Sequence, residues 1–497
     1  MFRNFILKHD HKILRLLEIL PGFISWNLIL LPYWGIFFFP NAIAYMILFF
    51  NIYWFYQSFQ IAITATLSHL RIQAAMIYDW VSDVKKFPNH TKVHQAIIIP
   101  TYKEPVHVLE RTIKSIADQT LSLSQISIVL AMEAKEDEKD RLEKVSILKK
   151  KFGKKFGNFF VTVHTLVEGE MAGKASNERH AAIWAKDELI KKQKMDINDI
   201  IITSCDADHV YHKNHFACLT YKFLENPKRH LYFWQPAVMF YNNIYKLPAL
   251  TRVPNTLASI WNLSQLPRID RLINQQNYSL SLKLLDDVGY WDPDKIPEDW
   301  GIFFKAFYKK EGKVEVSPIY LPLFADAVES TSTWKTFTAQ YQQIKRWAWG
   351  VSDTPWIIKS YFLTPNVPFI NKTMRLLHVT WSHFLWPVNW FFITIGLTVS
   401  TLINPAFGRT ALGYTVPKIS SAILTLALGF LVIMLVFDRF YKPKRPKEFP
   451  LWRALLMPFE FVLMPISGLV FSALPGLDAH TRLMMGKYIQ YKVTEKV

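Results

Sequence analysis

Four long apolar runs bracket this chain and decide its architecture. A bilayer core about 30 Å thick is crossed by roughly 20 apolar residues in a helix. Leu20–Phe39 and Ala42–Ala65 reach that length before the middle of the chain, and Val379–Ile403 and Ile419–Phe437 reach it after. Pro40-Asn41 leaves room only for a tight hairpin between the first two. A fifth run, Leu455–Leu474, contains Pro458, Glu460 and Pro465. A carboxylate is costly in lipid and proline interrupts a helix, so this run is expected to be re-entrant or interfacial.

The basic residues orient these segments. Arg3, Lys8, Lys12 and Arg15 precede the first run, and Lys442-Pro-Lys-Arg-Pro-Lys447 follows the fourth. Both clusters belong on the cytoplasmic side by the Lys/Arg bias of membrane proteins. The expected layout is a multi-pass cell-membrane protein with two N-terminal crossings in 1–70, a cytoplasmic catalytic domain in 71–368, and membrane helices, a re-entrant segment and a tail in 369–497. The first run is followed at once by a second, with no small-residue cleavage site between them, so it reads as an anchor that stays rather than a cleaved signal. The formal charge of +18 is accounted for by surface lysines and this bias, with anionic lipid headgroups as a further partner. The basic residues are dispersed and no nucleic-acid motif accompanies them, which argues against nucleic-acid binding. Only Cys205 and Cys218 occur, so no disulfide framework is implied.

Inside 71–368 the pattern changes to strand–helix alternation. Ala96–Ile99, Ile126–Leu130, Phe160–Val163 and Ile200–Thr203 are short apolar runs that read as buried strands. Val106–Ala117, Glu136–Lys150 and Ala175–Ile190 have helical character. That alternation predicts an α/β domain with a mostly parallel sheet. Ligands of such sheets sit beyond the carboxyl ends of the strands, where the first and fourth runs deliver Ile99-Pro-Thr-Tyr-Lys-Glu104 and Asp206-Ala-Asp208.

The polar motifs suggest chemistry, each with a plainer reading beside it. Asp206 and Asp208 alternate at a strand end, so both carboxylates face one side. Two hard oxygen donors suit Mg²⁺ or Mn²⁺; a solvated turn is the plain alternative. His209 is a possible third ligand or a solvated loop histidine. Glu298 and Asp299 open an apolar helical stretch, where carboxylates often act only as caps. Asp299 is the better candidate for a general base, as transfer to a hydroxyl requires. Gln343, Arg346 and Trp347 fall at i, i+3 and i+4 and share one helix face. Together they suit a diphosphate and a sugar ring, since Arg grips phosphate in a bidentate manner; an interfacial helix with Trp at the lipid boundary is the alternative. Lys174, after Gly173 at a helix start, places a cation where phosphate could bind.

In their order (Pro-Thr-Tyr-Lys-Glu, Gly-Lys-Ala, Asp-Ala-Asp, Glu-Asp and Gln-x-x-Arg-Trp), these motifs resemble the membrane-embedded glycosyltransferase family 2 enzymes, the group with the bacterial cellulose and hyaluronan synthases. The resemblance covers roughly Val93 to Gly350 together with the two-sided membrane layout. It implies a GT-A nucleotide-sugar fold and an inverting, metal-dependent hexosyl transfer. By position, Thr101, Tyr102 and Glu104 would line the nucleotide pocket, with Glu133 where the family usually has an Asp that helps hold the base. Lys174 would lie near the nucleotide. Asp206 and Asp208 would hold nucleotide and metal, Asp208 as the direct ligand, and Asp299 would be the general base with Glu298 beside it. Gln343, Arg346 and Trp347 would form the acceptor and diphosphate site. Val493, Thr494 and Lys496 are similar to the gating loop of cellulose synthases.

The departures are Glu133 in Leu-Ala-Met-Glu, Pro297 where Thr is common, and a short C-terminal membrane part in which the full translocation channel is not expected. The function expected is processive polysaccharide synthesis from a nucleoside-diphosphate sugar, a UDP-sugar foremost, at the cytoplasmic membrane face. Single transfer to a lipid-linked acceptor is the alternative. A transporter or receptor with a regulatory nucleotide-binding domain is the alternative from another class.

Overall fold

In the computed structural model, which describes residues 2–490 (without the side chains of 2 and 395–398), eight strands form one sheet. They are β1 (His94–Thr101), β2 (Ile126–Glu133), β3 (Asn158–His164), β4 (Ile200–Ser204), β5 (Val210–Tyr211), β6 (Tyr232–Met239), β7 (Tyr278–Ser281) and β8 (Glu315–Phe324). Their spatial order is β3-β2-β1-β4-β7-β6-β8-β5. The first four are mutually parallel. β7 runs antiparallel between β4 and β6, β8 is parallel to β6, and β5 closes the edge antiparallel to β8. This mostly parallel sheet is consistent with the GT-A fold expected from the motifs.

The local sequence explains the centre of the sheet. β1 and β2 are buried almost throughout, as strands covered on both faces must be, and they read as continuous apolar runs. One core layer packs Ile97, Ile99, Leu109 and Ile113 with Ile128 and Leu130; the other packs Ile98, Val129, Ile202, Phe233 and Leu280 with Phe303 and Phe307. Two of the three predicted helices end within two residues of expectation, at Val106–Ala117 and Glu138–Phe152; the third, Lys174–Lys186, widens into a π turn over Asp187–Lys192.

Among the described residues, four helical runs are long and apolar enough to cross a membrane, by length and composition: Asp10–Phe38, Pro40–Ile77, Ala411–Tyr441 and Leu451–Met484. One point differs from the sequence reading. The run expected over Val379–Ile403 is broken into Phe369–Leu385, Asn389–Phe391, a π turn over Phe392–Gly396, and Leu397–Ile403. The break falls at Pro387, which has no N–H to continue the ladder. The run containing Leu455–Leu474 is helical throughout, with a 3₁₀ stretch at Met457–Leu463 and a kink at Phe471. Glu460, the residue that argued against burial in lipid, is held by Arg252 of the Ala249–Gln265 helix, one guanidinium nitrogen lying 2.7 Å from Oε2. The ion pair offsets part of the cost of placing this carboxylate in an apolar run. Val493, Thr494 and Lys496 lie outside the described residues.

Candidate active site

The carboxyl ends of β1 and β4 place their motifs side by side, as the parallel register of the two strands requires. Thr101 donates its hydroxyl to Glu104 at 2.7 Å, and the same carboxylate accepts the Tyr102 N–H, folding the segment after β1 into a tight loop. Beyond β4, the side-chain donor atoms of Asp206, Asp208 and His209 lie within 4.8 Å of one another. Asp208 and His209 are buried. Asp208 is steadied by the Asp326 N–H at 3.1 Å, and His209 Nδ1 lies 3.1 Å from the Asn277 amide. Two carboxylates and an imidazole on a short loop form a donor set suited to a divalent cation. This geometry favours the metal reading over the solvated turn and brings in His209, whose spacing alone did not single it out.

Lys174 crosses from the start of its helix to the far side of the site. Its ammonium lies 2.9 Å from Asp206 Oδ1 and 2.8 Å from Glu298 Oε1, and it donates to the Gln276 carbonyl at 2.9 Å. Glu178, one turn along the same helix, stands 3.9 Å behind and accepts from the Ser204 hydroxyl at 2.7 Å. Burial works against the ammonium, but Asp206 and Glu298 outweigh it and hold its pKa well above the usual lysine value. Burial likewise raises Glu298 and Glu178, with Lys174 pulling the other way.

Glu298 does more than sit at a helix end. Pro297 occupies the N-cap of Glu298–Lys309 and makes no side-chain capping bond, and the Glu298 carboxylate in the first turn meets Lys174. Asp299 accepts the Gln276 N–H at 3.0 Å and the Trp300 N–H at 2.8 Å. Burial raises its pKa, while these N–H groups hold it down. Gln276 therefore serves both groups, its carbonyl taking Lys174 and its N–H giving to Asp299. It does so at a φ of +56°, in the left-handed region that side chains other than glycine seldom adopt. No residue-type signal exposed this role, because it is carried by the backbone.

Glu133 ends β2 and faces His164 at 3.3 Å, which in turn meets Glu170 at 2.9 Å. Burial raises the Glu133 pKa, with His164 opposing. Gln343, Arg346 and Trp347 share one side of the Thr333–Ala348 helix; the Trp347 ring packs 5.6 Å from Phe240.

All of these groups line one cavity of about 1140 Å³: Thr101, Tyr102, Glu104, Glu133, Lys174, Asp206, Asp208, Glu298, Asp299, Gln343, Arg346 and Trp347. The cavity continues past Trp347 between the apolar helices, against Asn51 and Trp54 of Pro40–Ile77, His383 and Asn389 at the broken run, and Ser420 and Thr425 of Ala411–Tyr441. The sequence reading did not expect a path of this extent.

Residues 201–438 match the model of the family described as glycosyl transferase family group 2. The chain carries a glycosyltransferase domain. The matched stretch begins in β4 and runs through Asp206, Asp299 and Arg346 into the Ala411–Tyr441 helix, just under half of the chain. No curated protein matches the glycosyltransferase chain. Among solved structures it is similar to the mannosyltransferase PcManGT from Pyrobaculum calidifontis in complex with GDP-Man and Mn²⁺, at 13% identity and a TM-score of 0.44 over 77% of this chain and 100% of that one. It is also similar to residues 1–349 of S. aureus TarS in complex with UDP-GlcNAc, at 12% identity and a TM-score of 0.38 over 71% of this chain and 93% of that one. At these scores the likeness is too loose to carry any residue's role across.

Proposed function

We propose that this glycosyltransferase is membrane-embedded and of the cellulose and hyaluronan synthase type, moving a sugar from a nucleoside-diphosphate donor, a UDP-sugar foremost, onto a growing glycan at the cytoplasmic face. One observation carries this reading: the cavity that holds the polar motifs at the sheet edge is continuous with a path between the apolar helices. A soluble transferase has no use for such a path. The catalytic domain spans 71–368 in this reading, between membrane segments 1–70 and 369–497.

Thr101, Tyr102, Glu104 and Glu133 would bind the nucleotide at the ends of β1 and β2. Asp206 and Asp208, with His209, would hold Mg²⁺ or Mn²⁺, which when bound offsets the charge of the diphosphate. Lys174 keeps Asp206 and Glu298 oriented toward the donor, and Arg346 meets the departing diphosphate. Asp299 takes the proton of the acceptor hydroxyl as its oxygen attacks the anomeric carbon. The bond from that carbon to the diphosphate oxygen breaks with its electron pair on the diphosphate, so the anomeric configuration inverts. Gln343 and Trp347 hold the acceptor sugar at the mouth of the path.

A second reading has its own support. Leu424, Leu428 and Leu431 of Ala411–Tyr441 form an aliphatic stripe on the cavity wall, which suits the chain of a lipid-linked acceptor in a single transfer. The deciding experiment incubates membranes containing the protein with a panel of radiolabelled nucleotide sugars and Mg²⁺ or Mn²⁺, then sizes the product. Long water-soluble chains support the synthase, and one sugar on an extractable lipid supports the second reading. No incorporation from any donor would defeat both.

A further inference from the structure

Beyond the motif residues, one side chain in the cavity stands out for what it lacks. His383, in the last turn of Phe369–Leu385, is only 3% exposed, yet neither ring nitrogen has a hydrogen-bond partner among the described residues. Buried polar groups are nearly always paired, and this one lines the cavity. Its ring is fixed by two indoles. Trp300 meets it edge-on at 5.2 Å, and Trp386 lies nearly parallel at 6.2 Å. Gly350, just after Gln343-x-x-Arg346-Trp347, lets the ring come close, since a Cβ there would stand 3.2 Å from His383 Cε1.

The surroundings define what would complete it. Asn389, beyond the break at Pro387, also lines the cavity, and its Oδ1 lacks a partner among the described residues. The lysines and arginine on the cavity wall, Lys135, Lys174 and Arg346, all belong to the cytoplasmic sheet-edge side. A phosphate would be drawn there. What remains on the cavity wall around the break at Pro387 is an imidazole and an amide, which donate and accept without net charge, with the indoles of Trp386 and Trp300 against the imidazole. Trp300 directly follows Asp299, so the pocket begins one residue from the group assigned as base.

We infer that His383 and Asn389, with Trp386, form an acceptor subsite that binds the hydroxyls of an uncharged sugar ring and sets it for attack. The inference rests on the transfer reading above. The ring belongs either to the growing glycan or to a lipid-linked sugar, and partition of the wild-type product between butanol and water separates these sources.

The test uses the full chain in membranes and the radiolabelled nucleotide sugar that the wild type consumes. His383→Phe keeps a ring between the two indoles and removes both nitrogens; His383→Gln restores a neutral hydrogen-bonding group. We expect His383→Phe to lose at least tenfold in transfer while donor hydrolysis and the donor KM stay within twofold. His383→Gln should regain a large part of the loss. Asn389→Leu, on the other side of the break, should show the same split and serves if His383→Phe does not accumulate. Wild-type transfer by both His383→Phe and Asn389→Leu would overturn the subsite and leave the transfer reading standing. Equal loss of transfer and hydrolysis in all three variants, with a lower thermal midpoint, would reduce His383 to packing or to a bound water. A wild type that consumes no nucleotide sugar would take both readings down.

Discussion

The Lys174 ammonium sits 2.8 Å from Glu298 Oε1 and 2.9 Å from Asp206 Oδ1, so one side chain joins three elements of the site: its own helix, the loop after β4 and the start of Glu298–Lys309. The two carboxylates are separated by 92 positions in sequence. Without the cation between them they would repel in a buried pocket. Lys174→Met removes the cation that Glu178, Asp206 and Glu298 share. Breaking a buried pair from one side costs about 3–5 kcal/mol, and the variant should show a clearly lower thermal midpoint in detergent together with loss of transfer. A variant as stable as the wild type would mean the cluster is hydrated and weak.

The same cluster predicts a pH dependence. Burial pushes Glu298 up to about 7 and Glu178 up to about 8. An acid whose pKa is raised on folding holds its proton more tightly in the folded chain. Between the ordinary glutamate value of about 4.3 and these values, the folded protein binds more protons than the unfolded one, so stability falls as pH rises through that window. For Glu298 alone the effect is at most about 4 kcal/mol. The thermal midpoint of protein free of metal and nucleotide should therefore drop between pH 5.5 and 8. The double variant Glu178→Gln/Glu298→Gln should flatten that slope, and an unchanged slope would assign it elsewhere.

What the sequence made legible follows from where its signals are strong. Ile97, Ile98, Ile128 and Ile202 sit in runs that only a doubly covered strand explains, and the acidic and basic motifs stand where those strands end. β6 and β8 escaped because Pro236, Pro318 and Pro322 punctuate them like turns, and β7, Tyr278-Ser-Leu-Ser281, carries too few apolar residues to register. In the site, side chains with unusual chemistry could be named, whereas Gln276 acts through its backbone and His383 through its place between two indoles. Neither property is written in residue type or spacing. The partner of Glu460 was hidden for a related reason: Arg252 lies 208 positions away, and no local pattern reveals it.

Asp299 separates binding from chemistry. Both of its oxygens take backbone N–H groups, so Asp299→Asn can keep one of these contacts and the local fold. General base catalysis contributes about 10²- to 10⁴-fold. Transfer should fall by that range, while nucleotide affinity measured by calorimetry stays within about twofold of wild type. A variant that still transfers sugar at more than a tenth of the wild-type rate would remove Asp299 from the role of base.

The metal assignment is tested by withdrawal. Chelation with EDTA should abolish transfer, and added Mn²⁺ or Mg²⁺ should restore it in the wild type. Asp208→Ala removes a buried carboxylate of the donor set but leaves the Lys174 cluster intact, so the protein should fold and lose metal-dependent nucleotide binding. Restoration by either ion to the wild-type level in Asp208→Ala would place the ion elsewhere.

Arg252 and Glu460 tie the Leu451–Met484 run to the catalytic domain. Their side chains are 8% and 19% exposed, and the guanidinium also donates to the Ile244 and Leu247 carbonyls. Arg252→Met strands a largely buried carboxylate and orphans two carbonyls, at a cost of about 3–5 kcal/mol. Glu460→Gln is milder, since an amide oxygen still accepts from Arg252. The expected order of thermal midpoints is wild type, Glu460→Gln, then Arg252→Met. The double variant Arg252→Met/Glu460→Leu replaces the pair with apolar groups and should recover part of the Arg252→Met loss, because no charge is left unpaired. If the double variant instead sums the two single losses, the residues are energetically independent and the helical run is held by its apolar contacts alone.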